Sequence, residues 1–523
     1  MSASAPRFPR FVPVVACLAI LATYVTLIDL KGISTDEGLR VGIINGGEPF
    51  LTVEPSPRAT WDAVIAANSF SAYQPLYFLI QNSLMRLAGT HSAIFFRGVN
   101  IFFLSVVLAG LLALSAGWRL APRLFLLGLF GFNAYLLMHV LQIREYIVGV
   151  AFYVWSTWLV LRLDRRPLGR AWADVAWFAA YGLLLTFGFF VQSWVVFPAI
   201  GQGLFLVLRR RGDWLRFHAH LALSYVIVLS VTWPYLQQNH QKADVGRWGA
   251  EGTALWPQLS DGFHLVLAGH LAGQSRFTDF LFWFWPLVAG VAAALLFSGR
   301  FAARPGMPDR EFKRQGALVL LCSAVSLAFQ IGYFLKVENL SVWPRYFVIH
   351  YFFLTWLVAL GFNYLHELRA ASFAPRRLAV LLGALGMMLV ASAIFQTHSY
   401  YQAPYLDTGF SRNSNWRGWG RELVQVARPR DAVLIHDFVQ RSTLTFTQPI
   451  PQRLILLPEL EASDLHAVDR VVYLDSSQSL AERGVLQSRL AAMSFPRMQE
   501  IALHGAEDGT VLTDCRLLVF SRQ

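Results

Sequence analysis

Up to residue 396 the chain is a series of long apolar runs separated by polar loops, most of them short and two of them long, 31–93 and 237–279. The runs fall at 11–30, 95–117, 124–142, 146–163, 173–191, 193–208, 217–236, 279–298, 316–335, 346–365 and 378–396. The hydrocarbon core of a bilayer takes roughly 20 helical residues, so the pattern predicts an all-α polytopic membrane bundle of about eleven transmembrane helices. One further apolar stretch, 73–89, is short for a span. Tyr73, Leu76, Tyr77, Ile80, Leu84 and Leu87 recur there at helical spacing. Pro75 stands near its start, where a helix tolerates proline. The stretch predicts a juxtamembrane helix that lies along the outer surface.

Loop charges support that reading. With the N-terminus in the cytoplasm, five clusters all face inward: Arg119/Arg123, Arg162/Arg165/Arg166/Arg170, Arg209/Arg210/Arg211/Arg216, Arg300/Arg304/Arg310/Lys313/Arg314 and Arg369/Arg376/Arg377. Short cytoplasmic loops carry such an excess of Lys and Arg. A crossing by 73–89 would place every later cluster outside. Arg7 and Arg10 precede a first run that is too long for a signal peptide, so the run reads as an uncleaved anchor.

Residues 1–396 thus read as a transmembrane domain with a long outward loop, 31–93. Beyond residue 396 the apolar runs shorten. The stretches 431–435, 453–457, 470–474 and 515–520 have the form of buried strands, and 416–427 and 480–493 that of helices. The tail 397–523 is therefore expected to be a small soluble C-terminal α/β domain, periplasmic by the same loop count.

Composition agrees with a membrane location. The chain has 523 residues, of which 55% are hydrophobic and only 15% charged, against about a quarter charged in soluble domains. The net charge of +12 comes from the loop arginines, not from a basic and aromatic patch suited to nucleic acid, so no nucleic-acid partner is expected. The three cysteines, Cys17, Cys322 and Cys515, lie far apart and show no metal-ligand spacing.

The candidate chemistry lies on the outward side. Asp36 and Glu37 form an acidic pair just past the first span; such a pair can take a proton, bind a sugar hydroxyl or hold a hard divalent cation. As a solvated capping group at the start of a surface helix it would instead have no chemical task. Arg144 and Glu145 follow the third span, and Glu338, Arg345 and Tyr346 lie between the ninth and tenth. Outward arginines run against the charge bias and want a partner. That partner is either a carboxylate within the bundle or a phosphate, which the planar guanidinium binds bidentately. His139, Gln142 and Gln192 have the standing of interhelical polar residues, and His350 reads as structural.

Taken in order, four stretches resemble the GT-C membrane glycosyltransferases, in particular the bacterial relatives of protein O-mannosyltransferases and lipid A aminoarabinose transferases. They are Asp36-Glu37-Gly38, Tyr73-Gln74-Pro75-Leu76-Tyr77-Phe78 running on to Phe96-Arg97, Leu141-Gln142-Ile143-Arg144-Glu145-Tyr146, and Pro344-Arg345-Tyr346-Phe347. The family often has a histidine before a double proline where this chain has Tyr73-Gln74-Pro75, and its glutamate commonly precedes the arginine that Glu145 follows here. The resemblance covers roughly residues 10–365. It implies transfer of a sugar from a polyprenyl-phosphate donor to an acceptor hydroxyl on an envelope glycan, lipid (lipopolysaccharide included) or protein. The reaction would take place at the periplasmic face of a bacterial inner membrane.

Asp36 would be the general base and Glu37 would orient the acceptor or share a divalent metal. Arg144 and Arg345 would bind the donor phosphate. Tyr73, Gln74, Tyr77, Arg97, Gln142, Glu145, Glu338 and Tyr346 would line the substrate path. A single base and a single leaving phosphate fit an inverting displacement. The alternatives are a flippase or transporter of lipid-linked sugars, for which matched halves with broken spans would be expected, and a non-catalytic envelope assembly subunit.

Overall fold

The computed structural model describes residues 11–29, 35–48, 55–68, 74–166, 168, 171–209, 214–242, 255–269, 275–297, 309–336, 347–371, 375–402, 416–436, 438–448, 450–461, 463, 465–476, 483–503 and 515–522. The chain divides into two compact units. The first comprises 1–28, 71–77 and 98–408; the second comprises 29–70, 78–97 and 409–523.

In chain order the helices up to residue 402 are α1 Val12–Thr26, α2 Thr35–Ile44, α3 Trp61–Ala67, α4 Pro75–Ala88, α5 Ala93–Leu114, α6 Leu120–Gly131, α7 Ala134–Val140 and α8 Tyr146–Arg165. They continue as α9 Ala171–Val191, α10 Val196–Arg209, α11 Trp214–Lys242, α12 Leu255–Ala268, α13 Arg276–Phe297, α14 Asp309–Lys336, α15 Val348–Ala371 and α16 Pro375–Gln402. Each apolar run of the sequence falls on one of these helices or on a pair of them. Among the described residues, seven (α5, α8, α9, α11, α14, α15 and α16) are long and apolar enough to cross a membrane. The α6–α7 pair makes an eighth candidate, bent by 64° at its break.

The first unit is built around α15. Of its apolar window, 89% is buried inside the protein, against 17% for α16. It packs on α6, α8, α13, α14 and α16. The break between α6 and α7 is satisfied by side chains. Asn133 Oδ1 accepts from Tyr135 N at 2.8 Å and caps α7, Gln396 Oε1 accepts from Ala134 N at 2.9 Å, and Asn133 Nδ2 donates to Val266 O at 3.3 Å. An interrupted helix needs such partners because apolar surroundings supply none.

At one end of this unit, ion pairs tie the arginine-rich loops together. Asp164 at the end of α8 meets Arg209 at 3.8 Å and Arg314 at 2.6 Å, Asp174 meets Arg166 and Arg216 at 3.4 Å each, and Arg165 pairs with Glu311. The chain ends that the charge pattern groups together are thus joined by direct contacts.

In the second unit, α17 Trp416–Val426, β1 Ala432–Ile435, α18 Phe438–Thr447, β2 Arg453–Leu456, β3 Arg470–Ser476, α19 Arg483–Ala492, β4 Arg497–Ala502 and β5 Cys515–Ser521 form a three-layer α/β arrangement. The sheet order is β2-β1-β3-β5-β4. β1 runs parallel to β2 and β3, while β5 is antiparallel to β3 and β4. Successive strand residues point to opposite faces. Val433, Ile435, Val472 and Leu474 accordingly pack with Trp419, Leu423 and Leu444 on one side, and Leu434, Val471 and Tyr473 with Leu486 and Leu490 on the other. Asp431, just before β1, takes a two-pronged contact from Arg470 at 2.6 and 3.2 Å.

Two elements of this sheet domain depart from the sequence expectation. β4 carries polar residues on both faces and is largely exposed at the sheet edge, so it lacks the apolar signature of a strand. α18 is rich in Thr and Ser, which favour caps and turns over helix interiors.

Candidate active site

The acidic pair lies on α2, and the second unit holds this helix at several points. A Cβ at Gly38 would overlap the Thr443 hydroxyl and lie 3.1 Å from Thr443 Cα, so only glycine lets α2 and α18 approach this closely. Past the C-terminus of α2, Arg441 of α18 donates to Gly47 O at 3.0 Å, across 394 positions of sequence. Asn82 of α4 donates to both Ile44 O and Ala59 O at 2.9 Å, which fastens α2 and the entry to α3 to one side chain. Burial lowers the pKa of the Arg441 guanidinium, while Glu459 and Glu48 act in the opposite sense.

Within this frame Glu37 and Arg97 are brought together. Their side chains are 1% and 2% exposed and 3.3 Å apart. Arg40, one turn further along α2, is wholly buried. Asp36 lies in the first turn of α2; its side chain is outside the described residues.

Gln74, just before α4, and Tyr77, Phe78, Gln81, Asn82 and Met85 along it are buried, a face that mixes polar and apolar groups. The apolar stripe of α4 is the opposite one: Leu76, Ile80 and Leu84 are partly exposed and Leu87 is exposed. Gln81 donates to Phe96 O at 3.4 Å. Beyond α4, His91 lies against Phe446 of α18, with ring centroids 6.0 Å apart, and burial lowers its pKa to about 4.

The arginine-bearing turn belongs to the first unit. Residues 141–145 join α7 to α8, and Arg144 and Glu145 are buried there. Asn100 of α5 sets the shape of the turn. Its amide donates to Gln142 O at 2.5 Å and to Arg144 O at 3.3 Å, and Tyr77 OH donates to its Oδ1 at 3.3 Å. The Arg144 guanidinium lies 5.9 Å from the Tyr146 ring centroid. His139 stands edge-on between Tyr135 and Tyr146, at 4.4 and 4.7 Å.

The remaining candidates separate clearly. Tyr73, Glu338, Arg345 and Tyr346 lie outside the described residues. His350 pairs with Gln330 Oε1 at 2.7 Å and Gln192 accepts from Tyr153 OH at 3.1 Å, so both act between helices. Asn100, Arg40 and Asn82 are wholly buried, and no sequence motif points to them. Each is a buried polar residue in an apolar or short helix, and Asn100 falls one turn from Arg97, which was the available signal. Among the described residues no three His, Cys, Asp or Glu side chains gather as a metal centre.

No protein-family profile and no curated protein sequence matches the chain significantly. Solved structures do. The structure of ArnT from Cupriavidus metallidurans in the apo state superposes with a TM-score of 0.56 at 12% identity, covering 97% of each chain. The same protein bound to undecaprenyl phosphate gives a TM-score of 0.53 at 13% identity, covering 98% of each. At such identity the likeness establishes the fold. Over nearly its whole length, the chain has the fold seen in these two ArnT structures.

Proposed function

We propose that this protein is an integral-membrane glycosyltransferase. It takes a sugar from a polyprenyl-phosphate donor and passes it to an acceptor hydroxyl at the periplasmic face of a bacterial inner membrane, with inversion. The observation that carries this reading is the full-length match to a fold that, in ArnT, is seen with undecaprenyl phosphate bound. In this reading eleven spans cross the membrane, 1–396 form the catalytic membrane domain, and 397–523 are periplasmic. The ion-paired arginine loops support the count, because their clustering at one end of the bundle fits a single cytoplasmic face. The half-exposed apolar stripe of α4 fits a helix lying in the membrane interface.

Asp36 is the proposed general base. It removes the acceptor proton as the hydroxyl oxygen attacks the anomeric carbon. The bond from that carbon to the phosphate oxygen breaks, and its electron pair leaves with the polyprenyl phosphate. The donor is a phosphodiester and the product a monoester, so negative charge on the phosphate grows during the step. Arg144 and Arg345 are placed in this scheme to meet that growing charge, where preorganised donors act most strongly.

Glu37 has a positioning role. It holds Arg97 inside the second unit and so keeps α2, with Asp36, in place. Gln142, Glu145, Tyr77 and Gln74 shape the surroundings of the arginine turn and the surface helix; Tyr73, Glu338 and Tyr346 complete the proposed substrate path.

The direct test is single-turnover transfer by purified protein from a labelled polyprenyl-phospho-sugar. Release of free polyprenyl phosphate together with a labelled acceptor is expected. Movement of intact donor across liposomes, without cleavage, would replace this reading with the transporter.

A further inference from the structure

The first unit carries a second feature, remote from the arginine turn. An open apolar groove of about 450 Å³ lies between α8 and α9, walled by Trp155, Trp158 and Trp177, with Ala176, Ala180 and Leu184 leaving its floor low. The size falls within the roughly 300–1,000 Å³ of ligand clefts. The walls are held. Trp155 Nε1 donates to Val106 O at 3.1 Å, and the indoles of Trp155 and Trp158, and of Trp158 and Trp177, lie 5.6 and 6.4 Å apart.

One end of this groove is cationic. Arg162 stacks over Trp158 at 5.1 Å and Arg166 over Trp177 at 5.4 Å. Buried Asp174 is shared by Arg166 and Arg216. One carboxylate thus serves two arginines, and Arg162 adds a third positive charge at the rim. Arg162, its guanidinium against the face of Trp158, keeps its in-plane N–H groups for a planar or phosphate partner. From Arg166 to Trp155 the helix rises about 16 Å, close to half the hydrocarbon thickness of about 30 Å. The groove therefore runs from headgroup level to mid-bilayer, the depth of one leaflet.

We infer that this groove is a binding site for an anionic glycerophospholipid, with one acyl chain against the three tryptophans and the phosphate at Arg162 and Arg166. The occupant is fixed by charge and length together. The rim selects an anionic headgroup, basic pockets between membrane helices being suited to such lipids, and a single-leaflet depth fits an acyl chain. With the topology proposed above, the site lies in the cytoplasmic leaflet, away from the transfer chemistry. Binding itself does not depend on that chemistry.

The full-length protein in neutral detergent, titrated with dioleoyl phosphatidylglycerol or dioleoyl phosphatidylcholine and read by native mass spectrometry, tests the site. Each surface arginine is expected to favour the anionic lipid by about fivefold. Wild type should retain phosphatidylglycerol over phosphatidylcholine, R162Q should lose about that factor, and R162Q/R166Q should bind both lipids alike. R162Q leaves the Asp174 pairs intact, so it decides the matter even if the double variant fails to fold. Equal retention of the two lipids by wild type, or an unchanged preference in R162Q, overturns the site. In W177A retention of phosphatidylglycerol should also fall; full retention there would place the lipid elsewhere.

Discussion

Glu37 and Arg97 meet 3.3 Å apart with almost no access to solvent, and they join the helix of the acidic pair to the start of α5. Sixty positions separate them in the chain. Removing one partner of such a pair strands the other charge, at a cost of about 3–5 kcal/mol. Arg97→Ala should therefore lower the unfolding temperature in detergent markedly. A Glu37→Met/Arg97→Met double variant should recover most of that loss, because two matched apolar groups leave no stranded charge. Equal loss in the single and double variants would argue against coupling.

The two acidic neighbours should behave differently. Asp36→Asn is expected to lower turnover by roughly the 10²–10⁴-fold typical of a lost general base, with fold and donor binding preserved. Glu37→Gln keeps the shape of the side chain and a weaker bond to Arg97. It should cost stability more than chemistry, with the pH profile of turnover unchanged. A correctly folded Asp36→Asn protein with near wild-type turnover would remove Asp36 from the mechanism.

The arginine turn offers a graded test. Arg144→Ala should weaken donor binding, and Arg144→Lys should restore part of it, since lysine supplies charge without the planar fork. Arg345 should follow the same order. Asn100→Ala removes both bonds that shape the turn. It should raise the donor KM while Arg144 itself remains present. If Arg144→Ala binds donor normally and only unfolds more readily, the turn is structural.

Burial lowers the His91 pKa to about 4, below the unfolded value of about 6.5. Between those values the unfolded chain binds more protons than the folded one, so stability rises with pH across the window and levels off above it. Unfolding temperatures from pH 4 to 7.5 should show this slope. His91→Phe, which keeps an aromatic ring against Phe446, should flatten it. A slope unchanged in that variant would assign it to other groups.

Topology can be read with single cysteines in a background lacking Cys17, Cys322 and Cys515. Ala88 and Ser488 are exposed on α4 and α19, and Ala116 is exposed just beyond α5. A membrane-impermeant thiol reagent on intact spheroplasts should label cysteines at Ala88 and Ser488 and spare one at Ala116. Labelling at Ala116 but not at Ala88 would mean that α4 crosses the membrane.

The helices were legible because bilayer and interior both demand long apolar runs, and β1, β2, β3 and β5 because their residues are apolar in unbroken stretches. What stayed hidden has a common physical character. β4 is a polar edge strand, α18 is a helix of poor helix formers, and the contacts at Gly38–Thr443, Glu37–Arg97 and Asn100–Gln142 join segments whose spacing leaves no periodic trace. Arg97, expected on the substrate path, also pairs with Glu37, a contact that no sequence spacing announces. Along α4, Gln81 and Asn82 are buried beside Tyr77, Phe78 and Met85, whereas Leu76, Ile80, Leu84 and Leu87 stay partly or fully exposed, an arrangement that apolar spacing alone does not foretell.

The contact between α2 and α18 also bears on how the protein is made. Arg441 and Gly47 are 394 residues apart, and synthesis proceeds at about 5–20 residues per second. The acidic helix thus waits roughly 20–80 s after emerging before the segment that clasps it exists. Until then its buried arginine and glutamate lack the α18 wall. A chain cut short before residue 438 would insert its spans and yet leave α2 without that wall, so that completion of the chain, and not membrane insertion, becomes the event that finishes the acidic helix.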